Sequence, residues 1–468
     1  MAALSFVIGT VVLAYVLMSC PVSGLGRLVA PESQAIVVLY MIFSIRPMFA
    51  DRFESRSIYG YIPSPEAQDA AILVGIVGML AFAIGVFLLS VSPGMKIKLG
   101  DARRPSDESL RIPAVGVLIV AVGGVVLYFL VMLLLAGSEV VDTLKGGRSV
   151  DVVLAGVPEI VLMIPMFGTI ATAVFLVSKR SVKLGFGEIG LLISSSGLSL
   201  FVLSQLGNRR FIIPALLIPL IAALVRRPVR IKVWHVVTGC LVFLFIATVP
   251  MVRSAGARLP GENLFTASWR HFGEVGVGGT LEPVFASFDT EMLDYVGVVV
   301  DQSNQPGWLG LGYGRGTLVE FLSRPLPRSI DLFGAPFSDR VLGATYGGPC
   351  GSPVCPVAST PGVLFFDGGF VAVVIGMVGF GLLLRWLSLT WADNRQYGVL
   401  KVSAVVVASG FALIATRTNT VHAIWWAIYA ELLMMGVVVA FSLMNSGGFV
   451  GRSRASLTKE QESALPAD

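Results

Sequence analysis

A glycine- and arginine-rich stretch, residues 310–330, holds the residues best suited to chemistry in this chain. It contains Arg315, Arg324 and Arg328, and it leads through a polar loop into an apolar run that begins near residue 362. Arginine presents a planar fork of donors that matches a phosphate or carboxylate group with two parallel hydrogen bonds. The stretch therefore predicts a site for an anionic group beside a membrane helix.

Further arginines occupy short turns at the ends of apolar runs. Arg209 and Arg210 lie between two such runs, Arg417 lies in another turn, and Arg46 ends a third run. Charged residues at this depth usually face a cavity or a partner, although arginine can also extend its side chain to the membrane surface. If these arginines ring one end of the helices, we expect them to bind the headgroup of a diphosphate-linked lipid.

Three acids fall within apolar runs, namely Glu159, Glu188 and Glu431. An intramembrane acid is a functional candidate by default, and pairing with an arginine is an equally good explanation for Glu159 and Glu431. Glu188 lies near the end of its run, where water reaches it.

The polar region 251–361 contains His271 and most of the remaining acids that lie on the same side of the membrane as the arginine-rich stretch. Residues 287–296 have apolar side chains at helical spacing, which predicts a helix that packs on the membrane helices and leaves Asp289 or Asp294 free to face a site. The apolar face of this helix comprises Phe288, Met292 and Tyr295. Other acids of the region include Glu274, Asp301 and Glu320. Because the chain has no Ser-His-Asp, metal-ligand or phosphate-loop spacing, we expect metal-independent chemistry without a cofactor.

The composition is that of a membrane protein. Of 468 residues, 55% are hydrophobic and only 13% are charged, and the mean hydropathy is +0.82; soluble domains carry roughly a quarter charged residues. We therefore predict an all-α, polytopic protein, and nucleic acid is not an expected partner because no basic patch interleaved with aromatic residues is present. About eleven apolar runs are long enough to be considered as spans. They are residues 2–20, 34–50, 70–91, 112–136, 152–177, 185–206, 210–225, 231–250, 362–384, 398–415 and 419–443.

The distribution of basic residues predicts the orientation. One set of alternate connections holds 19 basic residues and is assigned to the cytoplasm by the positive-inside rule. The other set holds fourteen arginines and one lysine; this bias favours phosphate or carboxylate binding, unless it reflects codon usage. The predicted organisation is N-terminal spans over 1–250, an extracytoplasmic loop over 251–361, C-terminal spans over 362–445 and a cytoplasmic tail over 446–468.

Two cysteines, Cys350 and Cys355, lie five positions apart in the extracytoplasmic loop. No histidine or further cysteine lies near enough to complete a zinc pattern. An oxidising compartment favours a disulfide between them, and the alternative is a pair of free thiols.

Ordered features of the C-terminal half resemble the Wzy-type O-antigen polymerases, or oligosaccharide repeat-unit polymerases. A glycine-rich segment precedes Pro327-Arg328-Ser329, and a variable loop is followed by Gly362-Val363-Leu364-Phe365-Phe366-Asp367-Gly368-Gly369 at the entry to a helix. The turn Gly207-Asn208-Arg209 is similar to a Gly-Ser-Arg-like turn of the family. The close resemblance covers about 70 residues. The chain departs from the family at Val363, where the family has glutamate, and at Asp367, where it has asparagine.

The resemblance implies glycosyl transfer at the outer face of the cytoplasmic membrane. The substrate would be an oligosaccharide repeat unit on a polyprenyl diphosphate, transferred to another lipid-linked unit, with membrane lipids around the protein and a chain-length regulator left open as a partner. Arg328, Arg209 and Arg210, supported by Arg324 and Arg417, would stabilise the leaving diphosphate. The base that takes the acceptor proton would be His271, Asp289 or Asp367. A glycan ligase of the same fold is the alternative, and a flippase or transporter is a more distant one.

Overall fold

The computed structural model describes most of the chain. The described residues are 1–49, 64–91, 112–137, 158–179, 182–205, 209–227, 229–230, 232–235, 237–241, 262, 264–286, 292–303, 314–324 and 358–462. Within these ranges the regular structure is helical and includes no strand. The predicted all-α class is thereby confirmed.

Ten helices lie in the described ranges up to residue 227. They are α1 (Ala2–Ser19), α2 (Leu25–Val29), α3 (Pro31–Tyr40), α4 (Arg46–Phe49), α5 (Pro65–Val91), α6 (Ala114–Ala136), α7 (Glu159–Met163), α8 (Phe167–Ser178), α9 (Phe186–Gln205) and α10 (Arg209–Arg226). A π-helical turn, Met41–Ile45, joins α3 to α4, and a 3₁₀ turn, Ile164–Met166, joins α7 to α8.

The second half begins with two helices of the predicted loop, α11 (Leu264–Ala286) and α12 (Met292–Ser303). A π-helical turn, Arg315–Val319, continues into α13 (Glu320–Ser323). The remaining helices are α14 (Ser359–Ala392), α15 (Val399–Gly410), α16 (Ala412–Arg417) and α17 (Thr420–Glu462). The segment predicted as a helix over 287–296 is helical from Met292 onward, and Met292 and Tyr295 are buried as predicted. Phe288 and Asp289 lie outside the described residues.

Eight helical segments of the described chain are long and apolar enough to cross a membrane. They are Ala2–Ser19, Pro65–Val91, Ala114–Leu135, Glu159–Ser178, Phe186–Ser204, Ser359–Ala392, Val399–Arg417 and Thr420–Met444. The protein is therefore a multi-pass membrane protein. The predicted spans 34–50, 210–225 and 231–250 are not among the eight, so the number eleven stays a prediction.

The closest helix packing joins α5 to α14. A Cβ atom at Gly381 would meet the backbone of Phe82 and Val86, and one at Gly85 would meet the backbone of Val378 and Leu382. In a lipid environment such small residues allow two backbones to approach and gain dispersion energy. These glycines allow the backbones of α5 and α14 to pack closely along their contact.

Contacts between connections define two ends of the bundle. At one end, Ser64 donates to Asp301 of α12 (2.8 Å), Arg46 pairs with Asp294 of α12, and Thr360 donates to the carbonyl of Ala415 (2.8 Å). We call this the loop end, because helices of the 251–361 region pack there.

At the opposite end, buried Glu32 accepts hydrogen bonds from Arg385 (3.2 Å) and Ser388. The amide of Leu25 donates to the carbonyl of Val229 at 2.8 Å. The connections that contain Leu25, Val229 and the C-terminal end of α14 thus meet at one end of the bundle, as expected if the chain crosses the membrane back and forth. The side of the membrane on which each end lies stays a prediction.

Candidate functional site at the loop end

The glycine-rich segment 314–324 is held against the bundle by its backbone. Gly314 has a positive φ of 82° and starts the π-helical turn. Asp367 of α14 accepts hydrogen bonds from the Gly316 amide and the Thr317 hydroxyl, each at 2.6 Å, and the Asn419 amide donates to the Gly316 carbonyl at 3.1 Å. A Cβ atom at Gly316 would lie only 2.9 Å from Val363. Glycine is therefore required for this close approach.

Beyond this anchor the segment carries two charged side chains into the bundle. Arg324 pairs with Glu159 at the start of α7 and lies 3.6 Å from Glu320 on its own helix. The Glu320 carboxylate is 2.6 Å from Nε2 of His422, and the Trp426 indole donates to Glu159 at 2.8 Å. We call Glu159, Glu320, Arg324, His422 and Trp426 the acid–base cluster. It joins α7, α13 and α17 at the loop end.

The Glu320–His422 contact fixes how the imidazole can act. When Glu320 is ionised it accepts the Nε2–H, which leaves Nδ1 as the unprotonated nitrogen. Nδ1 has no hydrogen-bond partner among the residues that the structure describes. His422 and Arg324 are part-buried, whereas Glu320 is buried behind them. A carboxylate that orients an imidazole with one free nitrogen is an arrangement suited to general base catalysis.

A second cation lies beside the cluster. The Arg210 guanidinium is 5.8 Å from the centre of the Trp426 ring, within the range of a cation–π contact. Arg210 is in the first turn of α10, and Arg417 ends α16 three residues before α17 begins. Arg210, Arg324 and Arg417 therefore each lie at a helix terminus of the loop end, and their predicted role in binding a diphosphate stays a prediction.

The remaining predicted site residues have different positions. Arg209 is the first residue of α10. His271 lies on α11 and is half-buried. Its role as a base stays a prediction. Asp367 is buried and its two oxygens each accept a hydrogen bond from the glycine-rich segment, which gives it an anchoring role. Arg328, Asp289, Cys350 and Cys355 lie outside the described residues.

Two expectations about the loop end are corrected. Asp294 is not free to face a site, because its carboxylate accepts a hydrogen bond from the Arg46 guanidinium at 3.2 Å and forms an ion pair with it. Arg46 is not available to a headgroup, because only 1% of its surface is exposed. Burial raises the pKa of the Asp294 carboxyl, and the Arg46 guanidinium acts in the opposite direction. The pair fixes α12 on the bundle.

Sequence reasoning weighed Glu159 and Arg324 separately and did not join Glu320 to His422. The available signals were a histidine three positions after the start of the last apolar run and an acid four positions before Arg324. Within the described ranges, no three His, Cys, Asp or Glu side chains come together as a metal site.

Comparison of the chain with known protein families, curated proteins and solved structures finds no match.

Proposed function

We propose that this protein is a membrane glycosyltransferase that polymerises polyprenyl-diphosphate-linked oligosaccharide repeat units in surface polysaccharide synthesis. It acts at the outer face of the cytoplasmic membrane with about eleven spans, and the loop end faces outward. The observation that carries the proposal is the Glu320–His422 pair, 2.6 Å apart, beside Arg210 and Arg324 at one end of a membrane bundle. A base and fixed cations are what this transfer requires.

The reaction needs one proton removed and one anion stabilised. The acceptor hydroxyl oxygen forms a bond to the anomeric carbon of the donor, and the bond from that carbon to the diphosphate oxygen breaks. The diphosphate leaves with the electron pair, and Nδ1 of His422 takes the hydroxyl proton. Glu320 stabilises the imidazolium that forms, as the carboxylate does in a catalytic triad.

Arginines of the loop end would receive the leaving diphosphate. The Arg210 guanidinium lies 5.8 Å from the Trp426 ring, and Arg209, Arg328 and Arg417 are the further candidates. Fixed guanidinium groups stabilise developing negative charge without reorganising at the moment of reaction. Arg324 has a different role in this proposal, because Glu159 and Glu320 flank its guanidinium. It positions Glu320 and offsets the carboxylate charge that would otherwise repel a diphosphate.

The proposal is tested in a strain that lacks the gene and is complemented with single variants. His422→Gln removes the base, and His235→Gln, in the segment that follows α10, is the matched control. We expect His422→Gln to slow polymer formation by about 10²–10⁴-fold, the usual contribution of a general base, while His235→Gln restores a normal polymer ladder. Both proteins are quantified in membranes.

The lipid-linked species identify the reaction. We expect unpolymerised units to accumulate at the outer face in the deletion strain and in the His422→Gln strain. Normal polymer from His422→Gln would refute the assignment of the base. If the deletion strain still forms polymer on its lipid carrier but no longer transfers the glycan to its acceptor, the protein is a ligase. If repeat units are trapped at the inner face, the protein is a flippase.

A further inference from the structure

The exposed residues of segment 314–324 are Arg315, Leu318 and Leu322, so two large apolar side chains face outward beside one arginine. Leu318 and Leu322 are 62% and 52% exposed, whereas Gly316 and Glu320 are buried. Leu318 and Leu322 are four positions apart and lie on one side of the short helix. A helix in water turns its apolar side inward and its polar side outward, so this segment is built for a different surrounding.

The orientation of the segment is fixed by its polar side. Gly316 and Thr317 bond to Asp367, and Glu320 bonds to His422. Rotating the helix to bury its leucines would break these bonds and leave buried polar groups without partners, which is costly. The exposure of Leu318 and Leu322 therefore belongs to the folded protein.

The neighbours of the segment place it at the edge of the membrane. The Trp425 indole donates to the Phe321 carbonyl at 2.9 Å, and the two rings are 5.3 Å apart. Trp425 also lies 5.7 Å from Tyr429, ring to ring, in the first turns of the candidate span Thr420–Met444. Tryptophan and tyrosine concentrate where a span meets the headgroups, because each combines an apolar ring with a polar atom.

We propose that Leu318 and Leu322 form a lipid-contacting face, inserted among the acyl chains at the outer edge of the bilayer core. The occupant of this face is membrane lipid hydrocarbon. The segment then separates the acid–base cluster from the lipid hydrocarbon by a single helix. The proposal holds for any reaction at the cluster and does not depend on glycosyl transfer.

Site-directed spin labels in reconstituted bilayers test this face. Single cysteines replace Leu318 or Leu322 in a background in which the native cysteines are serine, and each carries a nitroxide. Glu274→Cys on α11, a 56% exposed loop position, is the control for water, and Leu432→Cys, 57% exposed within a span, is the control for lipid. Collisions with oxygen, which partitions into hydrocarbon, are compared with collisions with a water-soluble nickel chelate.

We expect the ratio of oxygen to nickel collisions at 318 and 322 to lie near that of the lipid control and several-fold above that of the water control. A ratio near the water control would overturn the proposal, because the leucines would then face solvent. Low collision rates with both reagents would also overturn it, because protein would then cover the face. Retention of the wild-type elution profile in detergent confirms that each labelled variant is folded.

Discussion

Adding one methyl group at Gly381 should destabilise the protein, whereas the same change two positions earlier should not. A methyl carbon at Gly381 would lie 3.2 Å from the carbonyl carbon of Phe82 and 3.2 Å from the amide nitrogen of Val86, and closer still to the Phe82 carbonyl oxygen. These are backbone atoms of α5, so no rotamer change can relieve the contact. At Gly379, which is exposed on the same helix, the methyl group would meet nothing within 4 Å.

The expected difference in unfolding free energy follows from comparing the two variants. Both replace glycine by alanine inside a helix, which stabilises each by about 0.5–1 kcal/mol. Only Gly381→Ala forces α5 and α14 apart, and overpacking of this kind costs about 1–3 kcal/mol. The difference in unfolding free energy between Gly381→Ala and Gly379→Ala should therefore equal the overpacking cost, about 1–3 kcal/mol.

The measurement is unfolding of the purified protein in mixed micelles by increasing the mole fraction of dodecyl sulfate. Helicity by circular dichroism gives the transition for wild type and both variants. We expect the order of stability to be Gly379→Ala, then wild type, then Gly381→Ala. If Gly381→Ala unfolds together with Gly379→Ala, the close approach of α5 and α14 is not as described.

Two buried ion pairs give further predictions in the same unfolding assay. Asp294→Asn should lower the unfolding free energy by about 3–5 kcal/mol, because it removes the carboxylate that pairs with buried Arg46. The control Glu66→Gln, on an exposed carboxylate in the first turn of α5, should change it by less than about 0.5 kcal/mol. Equal losses in the two variants would contradict a stabilising role for the Arg46–Asp294 pair. Arg385→Met should cost a similar 3–5 kcal/mol because it strands Glu32, and the double variant Glu32→Leu/Arg385→Met should recover most of the loss; no recovery would show that the pair is not the cause.

Hydropathy predicts where spans lie better than where helices end. The run 362–384 predicts most of α14, but the helical residues extend from Ser359 to Ala392, with a break at Gly368 and Gly369. The apolar run stops before Arg385, yet the helix continues because Glu32 of α3 satisfies Arg385 and Ser388. A charge that has a partner in the bundle does not end a helix, and the sequence does not name that partner.

A similar limit applies to the run 398–415, which predicts one continuous helix. The structure divides it at Phe411 into α15 and α16. The Gln34 side chain donates to the Ser409 carbonyl and accepts from the Leu413 amide, both at 3.2 Å, and so binds backbone groups on either side of the break. Gln34 lies 375 positions before Ser409, so local propensity carries no sign of this contact.

The candidate site was partly predictable for a related reason. Alternation of spans brings Arg210 and Arg417 to one end, since that follows from counting apolar runs. The alternation of spans does not show whether Glu159 is a functional acid or the partner of an arginine. The folded structure shows that Glu159 contacts Arg324, 165 positions away. The Glu320–His422 pair spans 102 positions and depends on the backbone anchor at Gly316, which only the folded chain provides.

The contact between α5 and α14 also has a consequence for biogenesis. α14 begins more than 260 positions after α5 ends, so the ribosome must add over half of the chain before α5 can meet its partner. Until then the groove at Gly85 is filled by lipid, which is as apolar as the helix and does not drive α5 to other contacts. Insertion and folding are therefore separated in time, and a chain that stops before Ser359 would enter the membrane without forming the contact between α5 and α14.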